Sequence, residues 1–180
     1  LPTRLVRVNN RTTDLEKIAL VNAVSRKLAT AEISLEEAHK ELKRIDEEHK
    51  MIAFWIRIAA SAVASGAFLW LFGASLIDVP HAMLAGGIGF AVADLLERKT
   101  RVKFFAEFFA ALIISMIATL SVRYGYGVEI DKIIIGSVMP LVPGLLITNA
   151  VRDLMAGHFM SGLSKGAEAF LTAFAIGAGV

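Results

Sequence analysis

The sequence has no cysteine, which excludes disulfide frameworks, thiol chemistry and every cysteine-based metal site. Histidine offers no substitute. His39, His49, His81 and His158 are scattered without ligand spacing, so no metal and no cofactor site is expected. Proline is scarce, at 4 residues, yet Pro140 and Pro143 stand three positions apart. Charge of either sign is scarce after residue 50: 19 of the 36 charged residues fall in Leu1–Lys50, leaving 17 for the other 130 positions. The net charge of +2 is small and bases alternate with acids, so the electrostatic footprint of a nucleic-acid binder is absent. No signal peptide precedes the polar head, the first residue is leucine, and Val180 ends a hydrophobic run. The gene product or its functional assembly is therefore expected to extend beyond these residues.

What the sequence has in abundance is apolar surface. It is 56% hydrophobic with a mean hydropathy of +0.61, too apolar for an ordinary soluble domain of 180 residues. The chain divides into a polar head, residues 1–50, and a membrane body, residues 51–180. In the head, Thr3–Val8 is β-branched enough for a strand or extended arm. Thr13-Asp-Leu-Glu16 fits a capping box opening a helix to about Leu28, and Ser34-Leu-Glu-Glu37 fits a second. Leu35, Ala38, Leu42 and Ile45 then mark one narrow apolar stripe on a charged helix. Two amphipathic helices make a poor independent core, so this segment is expected to complete a larger N-terminal domain, pack on a partner or lie along the membrane face.

The body reads as about five transmembrane helices: Ala53–Ile77, Val79–Leu96, Phe104–Val122, Lys132–Val151 and Gly162–Val180, each near the ~20 residues that cross a bilayer. Arg57 and Trp55 sit at the start of the first, where a long cation snorkels and aromatic belts form. Arg98, Lys99, Arg101 and Lys103 crowd one short connection, whereas Gly73–Pro80 carries only Asp78. The positive-inside rule then makes the basic loop and the head cytoplasmic, and Val180 emerges outside. An odd number of spans suits one half of an inverted-repeat transporter. Two rows of small residues, Ala85, Gly89, Ala93 and Ala169, Ala173, Gly177, mark helices expected to pack closely.

The fourth span is the unusual one. Pro140 and Pro143 remove backbone donors in a run that would otherwise be helix, and a broken helix in lipid must line a protein-walled cavity. Topology puts these prolines close to mid-membrane. Thr148 and Asn149 follow, suited either to a small polar solute or to mending freed carbonyls. Asp94, Glu107, Asp153 and Glu168 fall near the cytoplasmic ends of their spans, with Arg152 and Lys165 close by. Ionisable groups there serve as interfacial ion pairs or as a vestibule in which a carboxylate takes up a proton and a cation attracts a substrate carboxylate.

Three motifs are discounted. Gly162-Leu-Ser-Lys-Gly166 matches G-x-S-x-G but enters a hydrophobic helix instead of a strand-turn-helix elbow, so no enzyme is expected. Tyr124-Gly-Tyr-Gly127 matches a potassium-filter loop in outline but reads as an external turn. Gly86-Gly-Ile-Gly89 lacks the preceding strand of a dinucleotide loop.

Pro140-Leu-Val-Pro-Gly144, Thr148-Asn-Ala-Val-Arg-Asp-Leu154, Ser161-Gly162 and Glu168-Ala169 resemble the signature of the threonine/serine exporter family, including its split two-component members similar to bacterial succinate exporter subunits. Thr3–Val8, Thr13–Lys17, Ser34–Ala38 and Leu71–Gly73 extend the resemblance over nearly the whole chain. It implies a secondary, proton-coupled exporter of small amino acids (threonine, serine) or small organic acids in the bacterial plasma membrane. It also implies an all-α integral membrane protein with a cytoplasmic helical segment and five spans, half of a ten-span inverted-repeat transporter. The implied partners are the substrate, membrane lipid, a second membrane subunit or fused second half, and further copies of the chain. The residues expected to bind substrate are Pro140, Pro143, Gly144, Thr148, Asn149 and Arg152; the expected proton or ion carriers are first Asp153 and Glu168, which flank the broken segment most closely in sequence, and then Asp94 and Glu107. Gly157-His158, where an acidic residue often follows the glycine, and Lys165, where arginine is common, depart from the family pattern. A rival reading is a membrane scaffold or sensor recruiting a partner through the head; a channel is a third.

Overall fold

The computed structural model describes residues 14–48, 52–100 and 102–180, and among them every regular element is helical. The expected arm Thr3–Val8 lies outside the described residues. The chain separates into two compact units, Leu1–Ile52 and Ala53–Val180.

The first unit contains a hairpin of α1 (Leu15–Ala29) and α2 (Leu35–Glu48). The second capping box forms as its sequence dictates: Ser34 N donates to Glu37 Oε2 at 2.8 Å and Glu37 N donates back to Ser34 Oγ at 3.3 Å. Thr13, which opens the first, lies outside the described residues. Asp14 caps α1, its Oδ1 accepting from Lys17 N at 3.0 Å, because a carboxylate answers the exposed N–H groups of the first turn. The hairpin closes on buried Val24 and Ala38, with Lys17–Asp46 and Lys27–Glu41 ion pairs across it. The expected stripe is only partly used: Leu35 is 75% exposed.

The second unit is a bundle of α3 (Phe54–Leu71), α4 (Val79–Thr100), α5 (Lys103–Arg123), α6 (Ile130–Val138), α7 (Gly144–Met155) and α8 (Phe159–Gly179), with a 3-10 turn, Met139–Leu141, between α6 and α7. Three helices, α3, α4 and α5, are long and apolar enough to cross a membrane, and the pair α6–α7, bent by 64°, gives up to four. This is a multi-pass membrane protein. Helix α8 has 21 residues but carries Lys165 and Glu168 within its span. The first span stops at Leu71, short of Ile77, because Gly73 at φ 70° lets Ala74 N and Gly73 N turn back onto Leu69 O and Trp70 O. Trp55 and Trp70 stand exposed near the two ends of α3.

Helices α3, α4 and α6 approach closely along a seam of small and hydroxylated side chains. A Cβ on Gly86 would overlap Ser65 Oγ, and one on Gly136 would come within 2.8 Å of Leu69 Cβ. Ser137 Oγ donates to Ala82 O at 3.1 Å and Ser61 Oγ to Gly86 O at 3.3 Å, so hydroxyls join helices where lipid offers no alternative. The row on α4 is used, with Ala85 and Gly89 buried. The row expected on α8 is not: Ala173 and Gly177 are exposed, and Ala169, Thr172, Ile176 and Gly179 form the buried face. Thr172 and Ile176 break the all-small pattern, so spacing by fours chose the wrong flank.

Fully buried Asp78 ties the far end of the bundle together. It stands just before α4, its Oδ1 accepting from Val128 N at 2.7 Å and its Oδ2 from Glu129 N at 3.1 Å, just before α6. Helix α6 packs on α3, α4 and α5, whereas α7 packs on α8, and α8 on α5. The bend therefore separates a segment held by the bundle from a segment held by α8. Gly179 sits against Phe108 O and Ala111 Cβ, in the half of α5 that begins at Lys103. Val180 consequently does not reach the Arg123 end of α5, where it was expected to emerge.

Candidate functional site

The break follows from residues 139–144. Pro140 cannot donate to the carbonyl four residues earlier, so α6 tightens into the 3-10 turn. Val142 is extended, and Gly144 N turns onto Val142 O at 2.9 Å before α7 begins. Thr148 Oγ1 donates to Gly144 O at 2.9 Å, so its hydroxyl serves the first turn of α7.

Beside the turn lies a cavity of about 140 Å³ whose lining includes Arg57, Asp94, Glu97, Glu107, Pro140 and Leu141. It draws on α3, α4, α5 and the break. Arg57 Nη2 donates to Asp94 Oδ1 at 2.6 Å. Arg98 Nε lies 2.7 Å from Oδ2, off the axis of a hydrogen bond, and so contributes an ion pair. Asp94 is 9% exposed, Arg57 31% and Arg98 58%. Each guanidinium also faces an aromatic ring, Arg57 over Phe90 at 5.2 Å and Arg98 over Phe54 at 5.7 Å. Glu107 is buried on the α5 wall. A larger, more open depression of about 260 Å³ lies along α5 between Leu112 and Leu120, but its lining carries no charge and comes from one helix.

The structure thus divides the sequence-derived candidates into two groups. Asp94, Glu107 and Pro140 share one cavity. Gly144, Thr148, Asn149, Arg152, Asp153 and Glu168 lie on α7 and α8 and do not line it. Asp153 Oδ2 accepts from Lys165 Nζ at 2.6 Å and from Ser161 Oγ at 2.7 Å, which fastens the α7–α8 hairpin. Gly162 allows that hairpin to close: a Cβ there would lie 3.0 Å from Ala150 O. Its place in a G-x-S-x-G sequence is a packing requirement inside a helix. Pro143 stands between the groups, immediately before α7.

Pro140 does not lie midway along the bundle. Pro140 shares its cavity with Arg57, the fourth residue of α3, and Glu107, the fifth of α5. The break therefore lies toward the end of the bundle that carries Arg98 and Lys103. Sequence reasoning missed Arg57 as a site residue, because its partner Asp94 is 37 positions away. It also missed Asp78, although a lone carboxylate in an uncharged loop was a usable signal. Among the described residues no cluster of His, Asp and Glu could hold a metal ion.

The chain is 21% identical over 174 residues to a Mycobacterium tuberculosis protein named "Probable threonine/serine exporter", covering 96% of this chain and 33% of that protein. It thus spans about a third of the length of the curated relative it matches. No solved structure matches. The model of the family described as "Putative threonine/serine exporter" matches residues 1–180, and the chain belongs to that family of exporters.

Proposed function

We propose that this chain forms part of a secondary exporter that moves small amino acids, threonine and serine among them, or small organic acids out of the cell, driven by the proton gradient. The observation that carries the reading is the charged cavity at the helix break, where Arg57, Asp94, Glu97 and Glu107, among the described residues, meet the 3-10 turn. A volume of about 140 Å³ is far below the ~300 Å³ at which drug-sized pockets begin, and suits a small polar solute. Asp94 and Glu107 are the proton carriers in this scheme, with Pro140 shaping the wall. Pro143, Gly144, Thr148, Asn149 and Arg152 form the approach along α7, and Asp153 and Glu168 supply a second pair of acidic groups on α7 and α8.

The same reading makes α8 the fifth membrane segment. Its 21 residues span about 31 Å as a helix, enough to cross, although it is offset along the bundle from α5. The chain is then half of a ten-segment inverted-repeat assembly in a bacterial plasma membrane, completed by a fused half or a second subunit, with the α1–α2 hairpin in the cytoplasm. The basic connection around Arg98 and Lys99 supports that orientation.

Uptake of labelled threonine, serine and dicarboxylates into inside-out vesicles tests the proposal. Asp94→Asn and Glu107→Gln are expected to abolish gradient-driven accumulation while leaving solute exchange without a gradient. Unchanged accumulation in both variants, and in Asp153→Asn and Glu168→Gln, would remove the coupling assignment. Non-saturable flux that ignores the gradient would replace the exporter with a channel.

A further inference from the structure

We propose that Arg57 is the residue that binds the carboxylate of the transported solute, and that Asp94 holds it ready in the empty site. The inference rests on the exporter reading and adds to it a named specificity determinant.

Asp94 is shared. One of its oxygens accepts from Arg57 and the other is ion-paired with Arg98. A buried carboxylate that loses its only cation is left with an uncompensated charge, which is strongly unfavourable. Here the second arginine removes that obstacle: when Arg57 turns to another carboxylate, Asp94 keeps Arg98. The arrangement allows counterion exchange without stranding a charge.

The two arginines are not equivalent. Arg57 lines the cavity and Arg98 does not. Arg57 is held by its hydrogen bond to Asp94 and by the Phe90 ring, whose centroid lies 5.2 Å from the guanidinium carbon. A planar fork with five donors suits two-point recognition of a carboxylate. Among the described residues of the lining the rest of the charge is acidic, from Glu97 and Glu107 as well as Asp94. This distribution suits a zwitterion, with its carboxylate on Arg57 and its ammonium toward the acidic wall. Arg152, the cation that sequence reasoning placed at the substrate, is exposed on α7 and does not line the cavity.

The test uses the intact transporter in proteoliposomes, with threonine, its carboxylate-free analogue 1-amino-2-propanol and its ammonium-free analogue 3-hydroxybutyrate as probes. Arg57→Lys keeps the charge and loses the fork; Arg57→Gln loses both. Both are expected to raise the half-saturating threonine concentration about tenfold or more. Competition by 3-hydroxybutyrate should be lost in parallel, and competition by 1-amino-2-propanol kept. Arg123→Gln, at the other end of α5, should match the native protein. Melting temperatures of purified variants show whether each is folded, and Arg57→Lys carries the test if Arg57→Gln is not. Native threonine affinity in Arg57→Lys, or equal weakening of both analogues, overturns the inference. If the native protein neither binds nor moves any probe, the exporter reading itself fails, a result distinct from either.

Discussion

Asp78 should be among the costliest side chains in the membrane unit to remove. It is fully buried and accepts from Val128 N at 2.7 Å and Glu129 N at 3.1 Å. Hydrogen bonds to a charged group contribute roughly 1.5–3 kcal/mol each, and an N–H left unsatisfied after truncation costs a comparable amount. Asp78→Ala removes both acceptors, for a loss of roughly 3–6 kcal/mol. Asp78→Asn keeps one acceptor oxygen and should lose about half as much. For a domain of this size each kcal/mol moves the melting temperature by ~2–4 °C, so Asp78→Ala should melt on the order of 10 °C lower, with Asp78→Asn between it and the native protein. Loss of helical circular dichroism on heating in detergent measures the shift. Hydrogen exchange at the Val128 and Glu129 amides locates it. An Asp78→Ala protein that melts within about 2 °C of native, with both amides still protected, would refute the reasoning, since that interval corresponds to less than ~1 kcal/mol.

Gly86→Ala places a methyl where Ser65 Oγ stands and should destabilise by about 1–3 kcal/mol, read as a lower melting temperature, with Gly86→Ala/Ser65→Ala recovering part of the loss. The Thr172 hydroxyl is buried without a hydrogen-bond partner, so Thr172→Val should raise stability by roughly 1 kcal/mol; a fall in transport without that gain would show that the hydroxyl serves the solute. The Ser34 N–H and hydroxyl bonds hold Glu37 below its usual value of 4.5. Because the folded pKa is depressed, the capping box contributes fully above the unfolded value and is lost as pH falls through the folded one. Amide protection in the first turn of α2 should therefore drop in acid, and Glu37→Gln should abolish that dependence.

Local chemistry was legible in the sequence and long-range partnership was not. The Ser34–Glu37 box and the break at Pro140 and Pro143 depend on residues within a few positions of one another, and both stand where the sequence placed them. The 64° bend and the allegiance of α7 to α8 depend on which surfaces meet, which no local pattern encodes. The same limit explains Arg57. A cation at a helix start satisfies the snorkelling rule by itself, and nothing nearby reveals that Asp94 faces it. On α8 the periodicity was present but the choice of face failed. Bulky Ile176 packs in the core cluster with Ile114, so residue size alone did not mark the buried side. The Thr148 hydroxyl bonds Gly144 O, one turn back on its own helix, a local contact that a threonine can make in any helix.

The placement of tryptophan has a spectroscopic consequence. The sequence holds 2 tryptophans, and both lie on α3. Fifteen residues of helix put them about 22 Å apart along the axis, and both face outward. Intrinsic emission from this chain is therefore a depth gauge for one helix, and quenchers attached at different positions along the lipid tails would report two distances from the bilayer centre. The gauge has no reading at Pro140–Pro143. Following the bend by fluorescence requires a new indole on α7 or α8, with Phe159, exposed at the start of α8, as the natural place to put it.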